Sequence, residues 1–148
     1  MKSHPPKIDT QEIVKRGYDH ISVKYTEWAK SVRQEERERY TDFLLKNLPV
    51  GANILELGCG GGDPTTMRLA ERFAVTGVDI SERQIRLARR NVPDAKFIQG
   101  DMTLLKFPAA SFDAVVDFYS ITHVPREQHV AQPDAAEHVS CLQAQIPL

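Results

Sequence analysis

Hydrophobic positions change their spacing along this chain, and the change marks two kinds of structure. From about Thr10 to Lys30, the residues Tyr18, Ile21, Tyr25 and Trp28 recur at steps of three and four, the period of one helix face. A second helix is expected from about Val32 to Asn47, with Tyr40, Phe43, Leu44 and Leu48 on one side. Its opening run, RQEERER, has mixed charge and reads as a solvated face. Pro49 and Gly51 stop it. Before these helices, residues 1–8 are polar and carry Pro5-Pro6, the signature of a loose end.

Beyond Gly51 the apolar residues come in short runs. Asn53 to Leu57, Val75 to Asp79, Lys96 to Gln99 and Phe112 to Phe118 predict four strands. Between the first two, Asp63 is placed to cap a helix that starts at Pro64 and reaches about Arg72. Ser81 and Gln84 have capping-box spacing and open a helix through about Arg90. Strands alternating with helices of this length predict an α/β fold. The expected form is a Rossmann-like, doubly wound, mostly parallel sheet, incomplete at about four strands, preceded by helices. The divisions are a loose end (1–8), a helical cap (9–48), a nucleotide-binding half (49–130) and a divergent tail (131–148).

The bulk numbers narrow the partners. A chain of 148 residues suits one domain with a real core. Nineteen basic against twenty acidic residues give a formal charge of −1, which offers nucleic acid or an anionic membrane no particular attraction. The opening MKSHPPKIDT has no apolar core of a secretory signal. Cys59 and Cys141 match no metal spacing or disulfide framework, so no metal is expected and a reduced, cytoplasmic setting is.

Candidate chemistry gathers at ILELGCGGGDPTT, residues 54–66. Its glycines, Gly58, Gly60, Gly61 and Gly62, follow a strand, as a phosphate cradle would. The dinucleotide pattern G-x-G-x-x-G nevertheless fails, because Asp63 or Thr65 stands where the last glycine belongs. Carboxylates at Glu56 and Asp63 flank the loop, which itself contains no lysine or arginine. Such surroundings oppose a pyrophosphate and favour a ligand with a positive centre. Asp79 lies 21 residues beyond Gly58 at a strand end, where a carboxylate can accept both hydroxyls of a ribose. Asp101 falls after the third strand.

The segments ELGCGGG, VTGVDIS and FIQGDMTLLKFPAASFDAVVDFYSITHVPRE, in this order, resemble class I S-adenosylmethionine-dependent methyltransferases of the small-molecule type, over roughly residues 10 to 130. The resemblance implies S-adenosyl-L-methionine as cofactor. Glu56, Gly58, Gly60 and Gly62 would then face its methionine end, and its sulfonium and ammonium suit the acidic loop. Asp79 would hold the ribose and Asp101 the adenine amino group, while Met102 would offer its backbone N–H to the ring. Ile80 stands with them as a cofactor-binding candidate. Tyr18 and Tyr25 are secondary candidates, since a helix before the sheet closes over the cofactor in this family; core packing is the plainer expectation for their stripe. The implied reaction is in-line displacement of a methyl group by a small-molecule acceptor. His123, just past the fourth strand, is the candidate base, although a polar rim residue that orients its loop is the simpler reading. Asp117 lies within the fourth strand, facing either the core or the ligand. Cys59 reads as a small loop residue.

After about Gln128 the motifs stop, which implies a chain cut short at its C-terminus. Asp134 and Glu137 suit the start of a short helix with Ala135, Val139, Leu142 and Ile146 along one side, and no further strand is legible. The fourth strand would then be a bare hydrophobic edge, which predicts homo-oligomerisation or aggregation unless the tail covers it. Two other functions stay open: a noncatalytic module that binds the cofactor or a protein partner, and a fragment of an NAD-dependent oxidoreductase, the latter disfavoured by Asp63.

Overall fold

The computed structural model describes residues 9–31, 34–118 and 142–143. The elements run α1 (Thr10–Ser31), α2 (Gln34–Asn47), β1 (Asn53–Leu57), α3 (Thr65–Ala70), β2 (Ala74–Asp79), α4 (Glu82–Asn91), β3 (Lys96–Gln99), β4 (Ala114–Asp117) and β5 (Leu142–Gln143). Each strand predicted from an apolar run is present, with the fourth trimmed at both ends. The sheet order is β3-β2-β1-β4-β5, and every neighbouring pair is parallel. The chain moves outward from β1 to β3 and then returns to the other side of β1. That reversal puts a crevice above the carboxyl ends of β1 and β4, the usual ligand position in such sheets.

Alternation along the strands sorts the core into two faces. Ile54, Val75, Ala114 and Val116 meet Leu69 and Phe73 from the α3 region and Leu44 from α2. Phe97 packs with Ile85, Ala88 and Val92 of the α4 region and with Cys59. Leu55, Leu57 and Val78 point the other way. Among the described residues they are covered by the irregular segment 100–113, through Met102, Leu105, Phe107 and Phe112. Phe107 and Phe112 meet edge to face, their ring centres 5.1 Å apart. Ile54, Leu69 and Val78 are fully enclosed, each worth roughly 1.5–3 kcal/mol of transfer free energy.

Four local expectations are corrected. The tail does contribute a strand: Leu142 and Gln143 pair with Val116 and Asp117, so the outer edge of β4 is covered at its carboxyl end. Leu142 therefore sits in a strand, while the rest of the predicted tail helix lies outside the described residues. Two members of the α1 stripe are not core, since Ile21 is 43% and Trp28 56% exposed. On α2, Phe43 points outward and Thr41 joins Leu44 inside. Finally, α3 starts at Thr65 with no side-chain cap, because the Asp63 carboxylate is engaged elsewhere. The Ser81 cap forms as predicted, its hydroxyl accepting from the Gln84 N–H at 3.2 Å.

One glycine outside the motif fixes how closely the loop after β1 can lie on the sheet. A Cβ on Gly77 would stand 2.8 Å from Cys59 Sγ and equally near the Phe97 ring. Gly77→Ala is expected to lower unfolding free energy by about 1–3 kcal/mol through overpacking. A denaturant titration checks this; an unchanged midpoint would show that Phe97 and Cys59 yield without cost.

Candidate functional site

The site is built where β1 stops. Gly58, Gly60 and Gly62 all have positive φ, at 64°, 56° and 80°, so the chain reverses through conformations that side-chain-bearing residues resist. A turn closes from the Gly62 N–H to the Cys59 carbonyl at 3.1 Å, and the Cys59 N–H donates to Val78 O at 3.0 Å, prolonging the sheet into the loop. Asn91, at the end of α4, donates to the Gly61 carbonyl at 2.9 Å. A Cβ on Gly62 would lie 3.4 Å from the Ala88 backbone, so α4 and the loop are nearly in contact.

Asp79 ends β2 and ties two loops together. Its Oδ2 accepts from the Gly60 N–H and its Oδ1 from the Ser81 N–H, both at 2.9 Å. Both oxygens thus sit at the crevice mouth, at the carboxyl end of β2. The neighbouring Ile80 is half-buried, and its carbonyl accepts from Gln99 Nε2.

Glu56 shares the α3 face of the sheet, two residues before the glycines. It is 3% exposed and accepts from Thr66 Oγ1 at 2.5 Å. Burial pushes its carboxyl up from 4.5 to about 7, against the pull of the Thr66 hydrogen bond and the Arg37 charge. Asp117 and Asp79 push the same way as burial. Asp117 is buried at the end of β4, opposite Leu57. The Cys59 thiol is likewise driven well above its ordinary range by burial, which makes it inert.

The loop's acidic character is softer than the sequence alone suggests. Asp63 pairs with Lys30 of α1 at 3.0 Å, and Lys30 also meets Glu27 at 2.9 Å. These hydrogen bonds, Glu27 first and then Asp63, raise the Lys30 pKa. The missing basic neighbour is thus supplied by a helix remote in sequence. At the other end of α1, Asp19 Oδ1 accepts from Ser81 Oγ at 2.5 Å, and the Asp19 carbonyl accepts from Arg83 Nη1 at 2.7 Å. Asp19 and Lys30 lie about 16 Å apart along a helix of this pitch. Two fastenings therefore lay α1 beside the loop and the start of α4.

Asp101 is drawn partly into its own turn: Oδ1 accepts from the Thr103 N–H at 2.8 Å and the Thr103 hydroxyl at 2.7 Å. Met102 is half-buried against the Leu55, Leu57 and Val78 cluster. Tyr18 is half-buried on α1. Tyr25 lies in α1 with its side chain outside the described set, and His123 lies outside the described residues altogether. Glu56, the glycines and Asp79 are thus brought together at the ends of β1 and β2, with Asp101 just after β3. Sequence reasoning missed Thr66, Asp19, Lys30 and Asn91. Thr66 stands within the quoted motif stretch, whereas the others have no local signal. Among the described residues, no group of three His, Cys, Asp or Glu side chains is placed to hold a metal.

Comparison with known proteins decides the lineage. The profile of a family described as methyltransferase domain matches residues 54–140, more than half of the chain. This chain belongs to the methyltransferase domain family. The match runs past Gln128, where the sequence motifs alone stop resembling it. The methyltransferase domain is 37% identical over 111 residues to 27-O-demethylrifamycin SV methyltransferase of Amycolatopsis mediterranei, covering 69% of this chain and 41% of that protein. It is 32% identical over 146 residues to O-methyltransferase cnsE of Penicillium expansum, covering 82% and 51%. The chain thus spans between two fifths and about half of these relatives. Its fold matches the crystal structure of magnesium protoporphyrin IX methyltransferase from Synechocystis with bound SAM, at TM-score 0.67 and 21% identity, over 86% of this chain and 70% of that one. No helix among the described residues is long and apolar enough to cross a membrane.

Glu56 links the site to stability. A carboxyl that titrates near 7 when folded and 4.5 when free binds more protons in the native state between those values, so stability falls as pH rises through that window and levels above it. The cost amounts to about 3 kcal/mol. Glu56→Gln should remove this part of the decline, which thermal unfolding across the window measures against wild type. Parallel curves for the two proteins would refute it.

Proposed function

We propose that this chain binds S-adenosyl-L-methionine at the carboxyl ends of β1, β2 and β3 and serves methyl transfer to a small-molecule acceptor. The observation that carries the reading is the Asp79 carboxylate at the end of β2, held against the glycine loop by the Gly60 N–H at 2.9 Å. The site fits the cofactor in two further respects. The loop turns through three positive-φ glycines that leave its backbone bare of side chains, and the carboxylates of Glu56 and Asp79 flank it while Asp63 is paired with Lys30. Family membership supports the same chemistry, and the activities of the relatives support a small-molecule acceptor.

In this assignment Gly58, Gly60 and Gly62 line the methionine end beside Glu56, and Asp79 takes the ribose hydroxyls. Ile80 borders the sugar. Asp101 accepts from the adenine amino group through the oxygen its turn does not use, and Met102 meets the ring. Tyr18 and Tyr25, on α1, are the secondary candidates to cover the cofactor from the 9–48 helical cap. The 49–130 segment is the cofactor-binding half and 131–148 the tail. When bound, the cofactor supplies an electrophilic methyl group on a cationic sulfur. The protein's share is alignment and exclusion of water, with His123 as the candidate acceptor of the substrate's proton. A reducing cytoplasm is the setting we infer from Cys59 and Cys141.

Calorimetric binding tests the assignment. S-adenosylmethionine and S-adenosylhomocysteine should bind, and NAD should not. Asp79→Ala should weaken the methyl donor by roughly 10- to 100-fold, the scale of one hydrogen bond to a charged group. Undiminished affinity in a folded Asp79→Ala protein would remove the ribose assignment. Preference for NAD would remove the donor.

A further inference from the structure

A cleft of about 230 Å³ opens between the end of α1, one side of α2 and the start of α3. Among the described residues its lining starts at Asp63 and Pro64, where the glycine loop ends, and takes in neither the glycines nor Glu56 nor Asp79. It is therefore a neighbour of the donor crevice, with one wall in common. On α2, Arg37 and Thr41 stand four residues apart and so share a face. Thr41, 2% exposed, forms the depth of the cleft, and Arg68 of α3 lines it from the other side. Three cations border this space, Lys30, Arg37 and Arg68, against two acids, Glu38 and Asp63. Asp63 is paired with Lys30 at 3.0 Å, and Glu38 accepts from Gln34 Nε2 at 2.8 Å. Asp42, which accepts from Arg68 Nη2, stands outside the lining. The lining thus has a formal excess of one positive charge, and two of its cations are guanidiniums, whose planar forks match a carboxylate.

Charge and size together limit the guest. A singly charged acid balances the excess, whereas a phosphate dianion overshoots it beside Glu38 and Asp63. The volume equals that of about eight water molecules. That is more than a lone carboxylate group fills, and less than the roughly 300–1,000 Å³ of a pocket for a whole ligand. A small acid fits, or the acid end of a larger molecule. Resting on the donor site proposed above, we infer that this cleft is the subsite for a carboxylate-bearing methyl acceptor, whose acid group is held by Arg37 and Arg68 with Thr41 at its depth. The acceptor is then a small monocarboxylic acid, with the rest of its body passing Asp63 and Pro64 toward the donor. The two arginines position the substrate and take no part in the transfer itself.

The test uses benzoate as probe, with benzamide as a neutral counterpart of the same shape. Each is titrated into the isotopically labelled full chain saturated with S-adenosylhomocysteine, and amide NMR shifts report binding. Benzoate should bind beside the product, shift the signals of Thr41, Thr65 and Arg68, and bind about tenfold or more tightly than benzamide. Arg37→Gln and Arg68→Gln should each weaken benzoate by about tenfold and leave the Kd of S-adenosylhomocysteine unchanged. Asp42→Asn removes the ion pair but keeps the guanidinium, so benzoate binding should survive it. A loss equal to that of Arg68→Gln would mean that Arg68 only braces α3 against α2, which overturns the inference. Equal affinity for the acid and the amide overturns it too. Competition between benzoate and S-adenosylhomocysteine, or loss of product affinity in the arginine variants, gives the cleft to the donor's own carboxylate and overturns it as well. Should Arg37→Gln not fold, Arg68→Gln and the wild-type comparison of acid with amide decide. Absence of donor and product binding rejects the donor site and this inference with it, whereas tight product binding without benzoate binding rejects this inference alone.

Discussion

The arrangement depends on a carboxylate that holds two backbones at once. Asp79 closes β2 and spends one oxygen on the glycine loop after β1 and the other on the turn into α4. Without that bridge the loop would lose the bond that draws Gly60 toward the neighbouring strand end. The packing beneath it makes the approach possible, since Gly77 leaves room for Cys59 and Phe97 where any side chain would collide. Charge-assisted bonds of this kind are short and directional, which suits a residue that fixes two loops at one strand end.

Three acids near one loop do not behave as one negative patch. Lys30 answers Asp63, Asp79 is shared between two N–H donors, and Glu56 is sealed behind the loop with its titration shifted toward neutrality. The site can therefore accept a cation without carrying three uncompensated charges beforehand. Burial is the dominant cause for Glu56 because the charged form loses water that one hydroxyl cannot replace.

The helices before the sheet bring in what the loop lacks. Asp19 reaches the start of α4 and Lys30 the end of the loop. With Ile21 and Trp28 exposed, the fastening among the described residues is polar. Such contacts are individually weak and salt-sensitive, so α1 is held by geometry at two points rather than by core burial.

The chain's own spacing settled a good deal. Apolar runs between helical stretches gave the first four strands, since short buried runs and three-to-four periodicity are local signals. The glycine loop, Asp79 and the Ser81 cap were legible for the same reason: each is a short pattern tied to a turn or strand end. What stayed hidden is what depends on folding. Ser81 meets Asp19 across 62 positions of sequence, and Thr66 meets Glu56 because α3 folds back on β1. Leu142 pairs with Val116 although nothing in the tail's composition marks a strand. The amphipathic stripe of α1 misled because periodicity reports which residues share a face, never what that face will meet. Local patterns fixed the elements and gathered the candidate residues at strand ends. Only the packed sheet decided which acids are buried and which are paired, because burial and partners depend on neighbours that the linear order keeps apart.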